Sequence, residues 1–408
     1  MGSIKSKENN DTKENKQSKK SKEPKLKEKN KDKKSKGEKK DKERKSKSEL
    51  KDPNEAKFLN EKIKLLEGQL KDKTNNFNNN NLDNSLINID NFNISLKYPI
   101  YTLNYHKDSI FCLSILNDGR LISGSADNSI IIYNKTTFEP DLIINEHKGP
   151  VNCIIELSSG ILVSCSRDNT IKLFNINGNN YNIIQTLNDH RSWVHKIIEI
   201  GNKCGYSFSG SICRSSGGSS TSLRKYIVSC SDDKSIIFYL KNNLKYKKDY
   251  QILTNDRCFY ISQIKENEIC YSENNDKICF YDIKDRKIKS SISNISKSAY
   301  SPFIMISKDL LFFSGYNKIS IVNINYYELI REIEVPNSGW IYGACMLNKN
   351  ILFTGDYEGI IREWKIKEDN LILISKNENS HNSHIYTLLN IGNGHIASGS
   401  LDFSIKIW

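Results

Sequence analysis

The chain has 408 residues, 37% of them hydrophobic and 27% charged, with 61 Lys+Arg against 48 Asp+Glu and a formal net charge of +13. Residues 1–52 hold 21 Lys+Arg and 11 Asp+Glu, so +10 of that charge lies in this segment and only +3 elsewhere. The remainder is close to neutral, and nucleic acid is an unlikely partner for it. No apolar run approaches the ~20 residues of a membrane-spanning helix, no hydrophobic signal-peptide core opens the chain, and no Cys/His spacing fits zinc.

The chain begins MGSIKSK. Gly2 followed by Ser6 fits the N-myristoylation pattern, in which a glycine precedes a Ser or Thr four positions on. Over these seven residues it resembles the acylated, basic start of Src-type kinases. The resemblance implies lipidation of Gly2. One acyl chain binds a membrane only marginally and needs a second signal. The lysines of residues 1–52 supply it toward an anionic membrane surface. Ser18, Ser21, Ser35, Ser46 and Ser48 lie among them, and each phosphate would add about −1.5 to −2 charge. The same basic run is compatible with nuclear targeting. Residues 1–52 contain no aromatic and few aliphatics, too little apolar area to offset ordering entropy, which predicts a disordered tail.

Residues 53–73 read as a short amphipathic helix. Asp52 suits the N-cap and Pro53 the first helical position. Leu59, Ile63, Leu66 and Leu70 then line one face at 4-3-4 spacing. Self-association through 53–72, docking on the following domain, and a marginal free helix all remain open. Residues 74–97 are an Asn-rich linker.

From residue 98 the chain changes to short β-rich runs that repeat. LISGSADNSIIIY (121–133), LVSCSRDNTIKLF (162–174), IVSCSDDKSIIFY (227–239) and IASGSLDFSIKIW (396–408) are in register. Each joins two apolar strands by a tight turn. The turn aspartates are Asp127, Asp168, Asp233 and Asp402. A serine stands four residues before each (Ser123, Ser164, Ser229, Ser398) and an aromatic six after (Tyr133, Phe174, Tyr239, Trp408). His106, His147 and His381 precede their aspartates by 21 residues, and His190 precedes Asp233 by 43 because residues 203–225 intervene. That insertion is Ser/Gly-rich and reads as a mobile loop.

These units resemble the WD-repeat family, whose repeats of about 40–45 residues each form one four-stranded propeller blade. The resemblance implies an all-β, seven-bladed WD-repeat β-propeller over 98–408, preceded by the basic tail and short helix. It implies a structural His–Ser–Asp–Trp tetrad in each unit, complete in His381, Ser398, Asp402 and Trp408. Residues 352–364 keep Thr354, Glu358 and Trp364 in register, with Asn337 at the histidine place. Residues 268–281 and 310–322 keep only strand–turn–strand texture. The chain ends its last unit at a third strand, so IYTLN (100–104) is expected to cross the seam and complete that blade.

A His–Ser–Asp set also suggests a hydrolase triad. Here it recurs around a ring, and the chain has no GxSxG, HExxH or phosphate-binding glycine loop. The reading is a protein that is not an enzyme, with no catalytic residue, no metal and no cofactor. The family binds partners on its top face, at positions three and five after the histidine and one before the turn aspartate. Carried over, these are Ser109 and Phe111, Pro150 and Asn152, Trp193 and His195, Trp340 and Tyr342, His384 and Tyr386, with Ala126, Arg167, Asp232, Tyr357 and Leu401. The aromatic and Arg members suit a protein interface, which makes Phe111, Arg167, Trp193, His195, Trp340, Tyr342, Tyr357, His384 and Tyr386 the candidate site. The function read from the sequence is a protein–protein interaction scaffold held at a cytosolic membrane face. The alternative is a nuclear or ribonucleoprotein-associated scaffold whose tail contacts nucleic acid.

Overall fold

The computed structural model describes residues 96–201, 226–243, 245–273, 276–293, 295 and 302–408. The sequence-derived calls on Gly2, the basic tail, the helix over 53–73, nearly all of the linker and the 203–225 insertion lie outside these residues.

Among the described residues the strands make seven four-stranded antiparallel sheets. Blade 1 is Ile110–Ile115, Leu121–Ser125, Ile130–Tyr133 and Pro140–Ile144. Blades 2 to 6 repeat this meander over 151–187, 194–253, 258–293, 304–334 and 341–377. Blade 7 takes three strands from 385–407 and its outer strand from Tyr101–Leu103. Across that seam Tyr101 pairs with Ile407, Thr102 with Lys406 and Leu103 with Ile405, and Ile100 N–H donates to Ile407 O at 2.6 Å. The pairing expected of IYTLN is present, and it gives the last blade a covered edge.

The middle strands are built of apolar and small residues because both of their faces are buried. In blade 1, Leu121–Ser125 and Ile130–Tyr133 are buried at every position. Successive side chains point to opposite sheet faces, so one run feeds two interfaces: Ile122 and Ile132 pack toward blade 2, and Leu121, Ile131 and Tyr133 toward blade 7. The described core comprises seven such clusters, one between each pair of successive blades, including blades 7 and 1. Outer strands show the half-exposed pattern, as in Glu328–Glu334.

Close approach of neighbouring blades fixes one position in the second strand. A Cβ on Gly124 would lie 2.7 Å from Val151 Cγ1, and one on Gly399 2.7 Å from Ile110 Cγ2. Each contact is with the first residue of the next blade's inner strand.

Candidate functional site: the polar corners and aromatic rim of the top edge

At one end of blades 1, 2, 3 and 7 the turn between the second and third strands meets the loop that enters the inner strand. A histidine crosses between them. His106 Nδ1 lies 2.9 Å from Asp127 Oδ2 and Nε2 lies 2.6 Å from Ser123 Oγ. His147 is 2.8 Å from Asp168 and 2.7 Å from Ser164. His190 is 2.8 Å from Asp233 and 2.7 Å from Ser229. His381 is 2.9 Å from Asp402 and 2.7 Å from Ser398. The fourth member differs. Trp408 Nε1 donates to Ser398 Oγ at 2.8 Å, Tyr133 OH is 3.0 Å from Ser123 Oγ, and Phe174 has no polar atom to offer.

Each aspartate does more than hold its histidine. Asp402 Oδ1 accepts from Ser404 N–H at 3.0 Å and Ser404 Oγ at 2.6 Å, while Oδ2 also accepts from Asn382 N–H at 3.0 Å. Burial pushes these carboxyls up, but the histidine, the hydroxyl and the backbone N–H outweigh it and hold Asp127, Asp168, Asp233 and Asp402 well below the usual carboxylate range. Burial pulls the His381 imidazole below its ordinary value, against the opposing hold of Asp402. Repeated in four blades and saturated by local partners, this set pins a turn; nothing in it is free to attack a substrate.

Blades 4 to 6 solve the same corner differently. In blade 4 the buried Glu273 accepts from Asn255 N–H and from Lys277 Nζ, the latter at 2.9 Å. Burial raises its carboxyl, but Lys277 and Asn255 prevail and keep it low. In blade 5 Asn317 Oδ1 accepts from Ser338 N–H at 3.1 Å and Gly339 N–H at 2.8 Å. In blade 6 the Trp364 Nε1 to Thr354 Oγ1 bond is kept at 2.8 Å, while Glu358 and Asn337 are exposed. Asp356, buried and ion-paired with Arg362, accepts from Glu358 N–H and Ile360 N–H, both at 3.0 Å.

The two sets of top-face positions meet along this edge through one recurrent backbone bond. Ala126 N–H donates to Ser109 O at 2.8 Å, Arg167 to Pro150 at 2.9 Å, Asp232 to Trp193 at 3.0 Å, Tyr357 to Trp340 at 2.7 Å and Leu401 to His384 at 2.8 Å. The side chains continue the line. Tyr316 meets Trp340 at 5.7 Å between ring centroids, Trp340 meets Tyr342 at 6.3 Å, Tyr342 meets Tyr386 at 5.3 Å and Tyr386 meets Phe111 at 5.1 Å. The Arg167 guanidinium then lies 4.6 Å from the Phe111 ring and 4.7 Å from the Trp193 ring. Trp193 leads to His195 at 6.5 Å and His195 to Phe259 at 4.9 Å. Tyr357 stacks on His384 at 3.6 Å, and His384 joins at Tyr386. His195 Nε2 is 2.7 Å from Asp232 Oδ1, and Arg167 Nε donates to Asn152 Oδ1 at 3.2 Å.

All nine candidate residues therefore share one rim that crosses blade after blade. Trp193 and Tyr357 are exposed and the other seven half-buried. Sequence reasoning missed Phe259, Tyr316 and Phe403. Phe259 was legible in Cys-Phe-Tyr-Ile, which parallels Ile-Phe-Cys-Leu at 110–113. Tyr316 lies within a turn, between Leu310–Ser314 and Lys318–Asn323, too short to align. Phe403 follows Asp402 in the left-handed region, at φ 67°, where Asn128 and Asn169 stand in blades 1 and 2.

A ring of seven four-stranded blades, four of them cornered by His–Ser–Asp, defines a β-propeller of the repeat type. A family model for the WD domain, G-beta repeat, matches residues 97–134, 138–175 and 375–408, so blades 1, 2 and 7 of this seven-bladed β-propeller carry WD repeats. No curated protein matches the chain. The matched segments carry the tetrads of blades 1, 2 and 7. Blade 3, with its insertion, and blades 4 to 6, with their altered corners, lie outside them. Propellers of this kind typically bind other proteins and are non-catalytic.

Proposed function

We propose that this chain is a non-catalytic scaffold that holds protein partners on its top edge and is tethered to a cytosolic membrane face by an N-myristoyl group on Gly2 together with the basic tail. The observation that carries the scaffold reading is the rim just described: aromatic and Arg side chains, the types that concentrate binding energy at protein interfaces, gathered at one end of the ring. The membrane reading draws on Gly2 and Ser6 at the chain start and on the +10 of residues 1–52. Neither signal alone suffices for stable attachment. Phosphate on the tail serines would cancel much of that charge and release the protein.

Proximity labelling of the wild type beside Gly2→Ala and a Trp340→Ala/Tyr386→Ala variant tests both halves. Gly2→Ala is expected to exchange membrane neighbours for soluble ones, and the rim variant to lose specific protein neighbours while keeping the membrane set. An unchanged membrane set in Gly2→Ala removes the acyl anchor and puts the nuclear scaffold first. Unchanged protein neighbours in the rim variant remove the top-edge site.

A further inference from the structure

The top edge is chemically divided. In blades 1 to 3 the residue after each tetrad histidine is basic: Lys107, Lys148 and Arg191. Each is held there because its backbone N–H donates to the turn aspartate at 2.9 Å. All three side chains are exposed, and among the described residues none forms an ion pair. Lys234 and Arg257 extend the series toward blade 4, also exposed. Lys234 Nζ donates to Asn255 O at 3.3 Å, and its nearest carboxylate, Asp256, is 3.8 Å away.

The acids of these loops are largely engaged. The turn aspartates belong to the tetrads, Asp232 faces His195, Asp108 accepts from Ser109 N–H at 2.6 Å, and Asp189 lies beside Tyr239. Among the described residues, the corresponding edge of blades 6 and 7 carries no such basic series. Asn337, Ser338 and Asn382 occupy the loop positions, and the edge is aromatic instead: Tyr316, Trp340, Tyr357 and Phe403. Phe403 is 44% exposed in the left-handed backbone region that L-residues rarely adopt.

We infer that the partner of this edge is an acidic protein segment with an aromatic or aliphatic anchor, its carboxylates lying over Lys107, Lys148 and Arg191 and its anchor over the rings of blades 5 to 7. This rests on the top-edge reading above and specifies its chemistry. Charge complementarity sets the sign: a partner of opposite charge suits the basic loops, which the net positive composition of residues 1–52 does not offer. A bilayer meets the exposed cations, but a flat surface does not reach the half-buried Tyr342, Tyr386 and Phe111 behind them, whereas a chain segment threads a side chain to that depth.

The test uses the full chain and a library of random displayed peptides. Its reference is Lys107→Glu/Lys148→Glu/Arg191→Glu, in which only exposed side chains change and whose thermal melt checks that it is folded. The library is first depleted on this variant, which carries the same basic tail, and then selected on the wild type. Survivors are expected to be net acidic with an apolar anchor, and to bind Trp340→Ala/Tyr386→Ala at least tenfold more weakly. Neutral or basic survivors, or none, overturn the inference. A parallel selection depleted on Trp340→Ala/Tyr386→Ala separates the two failures. Survivors there with none in the first selection leave the top edge a binding site without the acidic partner; none in either removes both. Sedimentation with phosphatidylserine-containing vesicles is expected to be equal for wild type and the charge-reversed variant. A loss confined to that variant assigns the basic loops to a lipid surface and overturns the inference.

Discussion

Blades 1, 2, 3 and 7 and blades 4 to 6 reach the same four-stranded meander by different corners. The first group ties its turn with an imidazole bridging a hydroxyl and a carboxylate. The second uses Glu273 with Lys277, Asn317 with two backbone N–H groups, and Asp356 with Arg362. The two groups share apolar clusters where they meet, between blades 3 and 4 and between blades 6 and 7. The sheet therefore comes from burial of alternating apolar faces, and the polar corner specifies which turn joins its strands. Many corners serve, provided the buried donors and acceptors are matched.

Acid is the bluntest way to separate the groups. The four tetrad aspartates have folded-state pKa values below the unfolded value of about 3.9, so their stabilising contribution is complete above that pH and is lost as pH falls through the folded values. His381, also depressed, adds a loss that begins below its unfolded value of about 6.5, where the unfolded chain takes up a proton that the folded one resists. Thermal melts from pH 7 downward are expected to fall gently below about pH 6.5 and steeply below about pH 4. Hydrogen exchange is expected to place the steep loss in blades 1, 2, 3 and 7 and, through the depressed Glu273 carboxyl, in blade 4, sparing blades 5 and 6. A uniform loss over all blades contradicts the division.

Single substitutions cut more finely. Arg362→Met leaves the Asp356 carboxylate buried without its cation, a change worth about 3–5 kcal/mol. Arg362→Met with Asp356→Asn removes both charges, keeps the oxygen that accepts from the Glu358 and Ile360 N–H groups, and is expected to recover most of that in urea titration. Equal destabilisation by the single and double variants shows that the pair is not what matters. Asp402→Ala strands the donors of His381, Ser404 and Asn382, for roughly 3 kcal/mol at 1–3 kcal/mol per unsatisfied buried group. Asp276→Ala, exposed at the blade 4 turn, is expected to stay within about 0.5 kcal/mol. Equal urea midpoints for these two mean that the corner carboxylate contributes nothing.

The smallest effects lie at the fourth tetrad position. Tyr133→Phe removes the bond to Ser123 and is expected to cost about 1 kcal/mol. Phe174→Tyr, which offers Ser164 the missing partner, is expected to change stability by less than about 1 kcal/mol. A larger loss from Phe174→Tyr reports a pocket too tight for the hydroxyl.

What was legible in the sequence follows the same division. A spacing of 21 residues pairs histidine with aspartate in blades 1, 2 and 7, widened to 43 in blade 3 by the insertion, and the offset from each histidine then assigns Phe111, Tyr386 and the rest of the rim. It fails where the corner uses other chemistry. Asp356 stands at the place of Ser125 and Ser400, two residues before the turn position, so a search for a turn aspartate finds the exposed Glu358 instead. Blade 5 shortens its turn, which hides Tyr316. The cationic loops went unremarked because Lys107, Lys148 and Arg191 each look like an ordinary surface charge until the ring brings them to one edge.

The seam sets a schedule for folding. Tyr101–Leu103 is synthesised about 300 residues before Ile405–Ile407, the strand it pairs with. Until then it has no blade, and blade 1 lacks the neighbour that covers Leu121, Ile131 and Tyr133. Closure of so long a loop costs only logarithmically in length, so the equilibrium tolerates it. Kinetically, an early apolar face and a waiting strand coexist throughout elongation, the condition under which chains pair with the wrong neighbour. The ring that leaves this protein without an open seam once folded makes its nascent chain dependent on its last strand.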